Sequence, residues 1–263
     1  MSEWHKRQAS SGWRVGVERV DRPVPGRSRP TFYLLLALGL ALILGLVALG
    51  NWQLDRRAWK LDLIERVEAR VSAPPVAAPG PAVWPRVDAQ GYEYLKVEAT
   101  GRFLHARETL VQAVTDYGSG YWVMTPLVSD RGFVVLVNRG FVPQDRREPA
   151  TRRAGQVEGP ATVIGLLRLP EPGGGFLRDN DPVADRWYSR DVQAIAAARG
   201  LGPVAPYFID ADATANPGGL PRGGLTQVRF RNQHLQYAIT WYALALLVAV
   251  GLWLLVRYEQ GRG

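Results

Sequence analysis

The sequence predicts two transmembrane α-helices, N- and C-terminal, flanking a mostly antiparallel α+β domain outside the membrane. Two stretches of twenty residues, 31–50 and 237–256, contain no charged side chain. A helix rises about 1.5 Å per residue, so each stretch spans about 30 Å, the thickness of a bilayer's hydrocarbon core. Between them, strand-like segments follow one another through connections too short for repeated parallel crossovers.

The first apolar stretch predicts an uncleaved anchor, because it exceeds the roughly 7–15 apolar residues of a signal peptide. Small residues recur every fourth position in both stretches and favour pairing of the two spans: Ala37, Ala41 and Gly45 in the first, Ala245 and Ala249 in the second. An apolar stripe continues the first helix beyond the bilayer until the proline-rich residues 73–81, which cannot be helical.

Charge predicts the orientation of the chain. Residues 1–30 carry seven Lys and Arg against three acidic residues, and positive flanks of a first span stay in the cytoplasm. Both termini are therefore expected in the cytoplasm and the central domain in the periplasm. The predicted divisions are a basic segment 1–30, a span 31–53, a periplasmic domain 54–233, a span 234–256 and a tail 257–263.

The central domain shows a series of strand-like segments rich in β-branched and aromatic residues and separated by Gly, Pro and Asp. They cover residues 92–103, 108–114, 121–128, 132–138, 161–169 and 207–210. Gly118, Ser119 and Gly120 predict a turn. Residues 189–199 predict a short helix with Ser189 as N-cap, and residues 216–224 a loop.

Composition and motifs exclude most catalytic chemistry. The chain has no cysteine, which removes thiol chemistry, and only three histidines. No zinc-protease, serine-hydrolase or phosphate-loop motif is present. The N-terminal segment contributes +4 of the net charge of +8, and no basic stripe on the domain indicates nucleic-acid binding. An enzyme is the least supported class.

Two groups of residues at the outer membrane face could form a site. Helical spacing places Trp52, Arg56 and Trp59 on one face. These three residues are explained by a belt of aromatic and basic side chains that contacts lipid headgroups. The alternative is a site in which Arg56 binds an anionic group. His234 lies three residues before the second apolar stretch, with Trp241 on its face. It is either an interfacial histidine or a ligand of haem iron.

These groups lie within an ordered set of motifs that resembles the Surfeit-1 (Shy1-like) family of cytochrome c oxidase assembly factors. Residues 50–60 match the family's Gly-x-Trp-Gln-x-x-Arg-x-x-Trp-Lys. Further matches, in the same order, are Gly-Arg-Phe at 101–103, GYWVMTPL at 120–127, NRGFVP at 138–143, Trp187 with Arg190 and Asp191, and NQHLQYAITW at 232–241.

The resemblance implies a non-catalytic role in inserting haem a, a transient cargo, into subunit I of the oxidase at a bacterial inner membrane. It implies His234 as iron ligand, with Trp52, Gln53 and Arg56 forming another wall of the site. NRGFVP is expected to serve a turn and domain packing. We expect Arg56, or Arg229 and Arg231, to pair with the haem propionates, and Trp52, Trp59 or Trp241 to pack on the ring. His105 is a weaker candidate for a second ligand.

Expected partners are subunit I, membrane lipids and, as a further candidate, haem a synthase; nucleic acid is not expected. A haem-independent scaffold that holds subunit I is the alternative function. A two-span sensor is disfavoured, because its short termini leave no room for a cytoplasmic signalling module.

Overall fold

The computed structural model describes residues 29–175, 177–226, 228, 230 and 232–261. They fall into two compact units. The helical unit comprises the residues up to Gln53 and those from Gln236 onward, and the barrel unit comprises Leu54–Leu235. The basic segment 1–28, and Arg229 and Arg231, lie outside the described residues.

Two apolar helices, α1 (Arg29–Ser72) and α3 (His234–Gln260), are each long enough to span a membrane. Helix α1 ends at Ser72, directly before the proline-rich stretch, as the sequence predicts. Both helices are consistent with a two-span membrane protein, since their apolar windows are only 6% buried within the protein. Their uncovered side chains suit contact with lipid.

The two helices pair through small residues, although in α1 these are not the ones that the sequence pattern favours. A methyl group on Gly50 would come within 2.6 Å of the Tyr242 ring, and one on Gly39 within 2.5 Å of Leu252. Gly45 has no neighbour within 4 Å, and Ala37 and Ala41 are exposed. Ala245 is buried, as expected. The pairing face of α1 is therefore rotated from the predicted one.

We expect Gly50→Leu to lower the melting temperature of the detergent-solubilised protein. The added side chain must displace the Tyr242 ring, and overpacking of this kind costs about 1–3 kcal/mol. For a chain of this size that corresponds to a fall of about 2–12 °C. Gly45→Leu is the matched control and should melt like the wild type. Equal melting of the two variants would contradict this helix contact.

The described residues of the barrel unit form nine strands, a short helix and several 3-10 turns. The strands are β1 (Val76–Ala77), β2 (Lys96–Phe103), β3 (Thr109–Thr115), β4 (Gly118–Ser129), β5 (Val134–Pro143), β6 (Pro160–Arg168), β7 (Gly174–Gly175), β8 (Arg178–Asp179) and β9 (Val204–Ala211), with α2 at Val192–Ala198. The 3-10 turns are Trp84–Arg86, His105–Arg107, Gln144–Arg146, Pro149–Gly155 and Pro217–Gly219.

Seven of the described strands form one sheet that closes into a barrel, which corrects the expected α+β class, while β7 and β8 pair separately. Their order is β1-β2-β6-β9-β5-β4-β3, and β2 also pairs with β4. Closure is possible because β4 is twelve residues long and one of its edges serves two partners. That edge binds β3 over residues 118–124 and β2 over residues 127–129. Most pairings are antiparallel as expected, but β5–β9 and β1–β2 are parallel.

The core consists of two apolar clusters. One lies among the barrel strands and includes Val97, Leu127, Val137 and Tyr207. In the other, Val192, Ile195 and Ala196 of α2 pack with residues of β5 and β9, as the apolar face of the helix predicts. Burial raises the pKa of Tyr207, whose hydroxyl donates to the Pro79 carbonyl at 2.7 Å. The proline-rich stretch is thereby tied to the barrel.

Several local predictions are wrong. Residues 92–95 form a turn with Tyr94 at φ 62°, so the strand begins only at Lys96. Residues 118–120 belong to β4, and residues 138–143 to β5. The N-cap of α2 is Asp191, whose carboxylate accepts from the Ala194 amide at 3.1 Å. In each case pairing across the sheet or a better-placed acceptor overrides the local pattern.

Gly140 shows why the segment 138–143 contains a glycine inside a strand. Its φ is +121°, and a methyl group there would lie 2.0 Å from the Arg222 carbonyl oxygen. The neighbouring Phe141 exchanges two backbone hydrogen bonds with Arg222, at 2.8 and 2.9 Å. Only glycine allows the loop after β9 to approach β5 this closely.

Candidate functional site

In the helical unit, the predicted site residues Trp52 and Trp241 lie at one level of the helix pair. The Tyr242 hydroxyl donates to Asn51 Oδ1 at 2.6 Å, and each tryptophan is the sequence neighbour of one of these residues. Trp52 is 54% exposed, and Gln53 and Trp241 are half-buried. The Asn51–Tyr242 bond therefore fixes the relative depth of the two indoles.

In the barrel unit, Arg56 and Trp59 form a pair. The guanidinium carbon of Arg56 lies 4.7 Å from the centre of the Trp59 ring, and half of Trp59 is exposed. Among the described residues, no carboxylate comes within 4.0 Å of Arg56. The pair thus offers a cation without a carboxylate partner in the described part of the protein, beside a half-exposed indole.

His234 is the first residue of α3 and is half-buried. The preceding segment reaches α1, because Lys60 Nζ lies 5.0 Å from the centre of the Phe230 ring. Asn232 contributes a buried Oδ1 with no hydrogen-bond partner in the described part of the chain. His105, by contrast, bonds through Nε2 to the Val157 carbonyl oxygen at 2.9 Å, which connects two loops of the barrel.

Sequence reasoning missed a buried ionic cluster around Asp210. This residue ends the apolar run of β9 and is 3% exposed. Its carboxylate accepts hydrogen bonds from four side chains of the barrel unit: Asn138 at 2.7 Å, Thr226 at 2.9 Å, Arg190 at 3.1 Å and Arg168 at 3.2 Å. The only signal in the sequence was an aspartate at the end of a buried strand.

The two arginines of this cluster each hold a second carboxylate. Arg168 pairs with Glu93 at 2.8 Å, and Arg190 forms a bidentate pair with Glu171. Burial by itself would raise the pKa of Glu171, but the hydrogen bonds and charge of Arg190 outweigh it, so the pKa lies below its usual value. Burial opposes the charge of Arg190, yet Asp210 and Glu171 raise its pKa. The charged side chains of the cluster are paired with one another.

The Asp210 cluster forms the floor of a cleft of about 710 Å³. Tyr117 and Trp122 stand on its walls with Leu225. Since every charge on its floor already has a partner, the cleft presents a fixed polar base rather than a free charge.

A second buried group joins Arg152, Glu108 and Arg139. Arg152 binds Glu108 with two hydrogen bonds, and their side chains are 1% and 7% exposed. Arg139 of the NRGFVP segment is 2% exposed and bonds to the Gly155 carbonyl and to Asn216 Oδ1. Burial lowers the pKa of Arg139 to about 10, against the opposing effect of Glu108. This segment thus serves packing, as expected, but from a strand.

The fold and these groups define a class of protein: a strand barrel whose sequence is flanked by two apolar, membrane-length helices, with exposed aromatic and basic side chains on the first helix. The chain belongs to the SURF1 family, whose family model matches residues 40–246. Membership of this family implies a cytochrome oxidase assembly factor. The family is not known as a family of enzymes.

Named relatives support the assignment. The chain is 42% identical to Surfeit locus protein 1 of Rattus norvegicus over 212 residues, covering 74% of this chain and 67% of the relative. It is 40% identical to Surfeit locus protein 1 of Homo sapiens over 214 residues, covering 75% and 69%. A SURF1-like protein of Monosiga brevicollis is 40% identical over 227 residues, covering 81% and 84%.

Proposed function

We propose that this protein binds haem a at the outer face of the membrane and assists its insertion into subunit I of cytochrome c oxidase. The observation that carries the proposal is the Arg56–Trp59 pair, a cation without a carboxylate partner among the described residues on a half-exposed indole. It stands where helix α1 passes from its apolar stretch into the barrel unit.

The chemistry of haem a fits the side chains at the two helix–barrel junctions. Its propionates are carboxylates, which an arginine binds strongly when both groups are partly desolvated. Its long apolar tail suits the lipid beside α1 and α3. His234 supplies an imidazole, the commonest protein ligand of haem iron, and Trp52, Gln53, Trp59 and Trp241 supply the remaining walls. A carrier must release its cargo, so a single axial ligand suits this role.

The family membership and the charge pattern support the remaining assignments. The protein is placed in a bacterial inner membrane with both termini in the cytoplasm and the barrel in the periplasm. Its proposed partners are subunit I, haem a synthase and membrane lipids. It carries haem a as cargo and performs no catalytic step itself.

The test is the visible spectrum of the purified full-length protein from cells that make haem a. We expect His234→Ala to lose most of the haem a absorbance, because the iron loses its axial ligand. His105→Ala, in which a histidine that bonds to a barrel carbonyl is removed, is the matched control and should retain haem. Arg56→Ala should weaken binding by about 1.5–3 kcal/mol, the usual value of a charge-assisted hydrogen bond.

Full haem a binding by His234→Ala would refute the ligand assignment. A wild-type protein without haem, obtained in good yield from cells that make haem a, would favour a haem-independent scaffold that holds subunit I. In that case contact with subunit I should persist when haem a synthesis is blocked.

A further inference from the structure

We propose that the outer edge of β3 binds an extended acidic segment of another protein by strand addition. This edge, defined here as residues 112–116, lies in the barrel unit at the tip of the β3–β4 hairpin. It is independent of the haem a site. Two kinds of observation on the described residues support it: a backbone edge that they leave open, and a set of arginines to which they supply no carboxylate partner.

The open edge follows from the hydrogen-bond pattern of β3. The Gln112 amide donates at 2.8 Å to the Trp187 carbonyl, on the side away from β4. Amide direction alternates along a strand, so the N–H and C=O of Val114 also point away from β4. In the described part of the chain no backbone hydrogen bond reaches Val114 from this outer side. Trp187 therefore pairs with the outer edge of β3 at Gln112, and Val114, two residues further along, is open to pairing with another strand.

Clefts flank this free position on both sides. Val114 is 84% exposed and lines both the 710 Å³ cleft over the Asp210 cluster and a second cleft of about 480 Å³. Successive side chains of a strand point to opposite faces. A strand added beside Val114 would therefore send alternate side chains towards the two clefts, which is the arrangement that gives strand addition its specificity.

Three arginine–tyrosine pairs surround the edge and define the charge of the partner. Arg222 lies 4.2 Å from the centre of the Tyr117 ring; Arg147 stacks on Tyr121 and Arg178 on Tyr188, each at 5.5 Å. All three arginines are exposed. Among the described residues none has a carboxylate within 4.0 Å, whereas Arg152, Arg168 and Arg190 of the barrel unit are paired with Glu and Asp.

Stacking holds these guanidiniums in place. Arg178 Nη1 also donates to Gln112 Oε1 at 3.4 Å, and its other N–H groups, like those of Arg147 and Arg222, can bind carboxylates. Tyr121, Tyr188 and Arg178 line the 480 Å³ cleft, and Tyr117 lines the larger one. Arginine and tyrosine are the residue types that dominate protein interfaces. The single acidic group at the hairpin tip, Asp116, already has an interaction of its own. An acidic extended segment matches both the edge and its surroundings.

The test measures binding of a fluorescein-labelled octapeptide of alternating Glu and Val to the full-length protein in uncharged detergent micelles, by fluorescence anisotropy. An alternating Lys and Val octapeptide is the matched probe of opposite charge. We expect the Glu peptide to bind at least tenfold more tightly, and its affinity to fall with added salt. Equal binding of the two peptides would overturn the proposal.

Two pairs of variants separate strand addition from simple charge attraction. Val114→Pro removes the outward N–H without touching the β3–β4 ladder and should weaken the Glu peptide at least tenfold, whereas Val114→Thr should bind like the wild type. The double variant Arg178→Glu with Arg222→Glu should also lose at least tenfold, and the double Lys variant much less. A charge-reversed variant that loses binding while Val114→Pro keeps it would indicate non-specific attraction and refute strand addition.

The melting temperature of Val114→Pro in detergent verifies that this variant is folded, and its haem a binding should equal that of the wild type. Failure of the peptide test therefore leaves the proposed haem a site unaffected, and failure of the haem a test leaves the β3 edge unaffected.

Discussion

Asp210→Ala is expected to destabilise the barrel unit more than any other single substitution in the Asp210 cluster. The carboxylate accepts from Asn138, Thr226, Arg168 and Arg190, and it is 3% exposed. Its loss removes a shared negative partner from the guanidiniums of Arg168 and Arg190, whose side chains are only 16% and 13% exposed. Removing one partner of a buried ion pair costs about 3–5 kcal/mol.

The measurement is the melting temperature of the full-length protein in detergent, where this cost corresponds to a fall of about 6–20 °C. Asp210→Asn should cost less than Asp210→Ala, because Arg168 keeps Glu93, Arg190 keeps Glu171 and the amide oxygen still accepts a bond. Asp179→Asn, on an exposed strand, is the control and should melt like the wild type. An Asp210→Ala protein within about 2 °C of the wild type would show that the cluster is not structural.

The Arg152–Glu108 pair should respond asymmetrically to mutation. Glu108→Gln leaves Arg152 and Arg139, which are 1% and 2% exposed, without this carboxylate, so we expect a loss of about 3–5 kcal/mol. Arg152→Met should lower the stability less, because the positive charge of Arg139 still compensates the negative charge of Glu108. The influence of Glu108 on the pKa of Arg139 shows that the two groups interact.

The double variant Glu108→Gln with Arg152→Met should recover most of the lost stability, since it removes both charges of the pair at once. Urea denaturation of the full-length protein measures all three variants. Additive losses in the double variant would contradict the coupling of Glu108 and Arg152. A Glu108→Gln protein more stable than Arg152→Met would contradict the role assigned to Arg139.

Local pattern predicted most of the elements but not how they join. The continuation of α1 to Ser72 followed from an apolar stripe that ends at prolines, and β3, β9 and the first half of β5 followed from β-branched runs. Closure of the barrel did not, because it depends on residues 127–129 of β4 pairing with β2 on an edge that β3 already occupies further along. Two strands that share one edge of a third strand produce no periodic pattern in the sequence that would predict it.

The site residues divide in the same way. His234, Arg56 and the tryptophans were found because a histidine or arginine beside an apolar stretch is conspicuous in sequence, and their haem a role stays a prediction. The Asp210 cluster was missed because its partners Asn138, Arg168, Arg190 and Thr226 come from separate strands and loops. An ion pair between distant residues has no spacing rule.

The sequence by itself determined what depends on neighbours along the chain: the two membrane-length helices, the succession of strand-forming segments, the absence of thiol chemistry and the family. Tertiary structure alone decided the barrel closure, the helix face that pairs through Gly50, the pairing of the buried charges and the open edge at Val114. The reason is physical. Hydrophobic periodicity reports burial one residue at a time, whereas pairing of charges and strand edges depends on contacts between residues far apart in the chain.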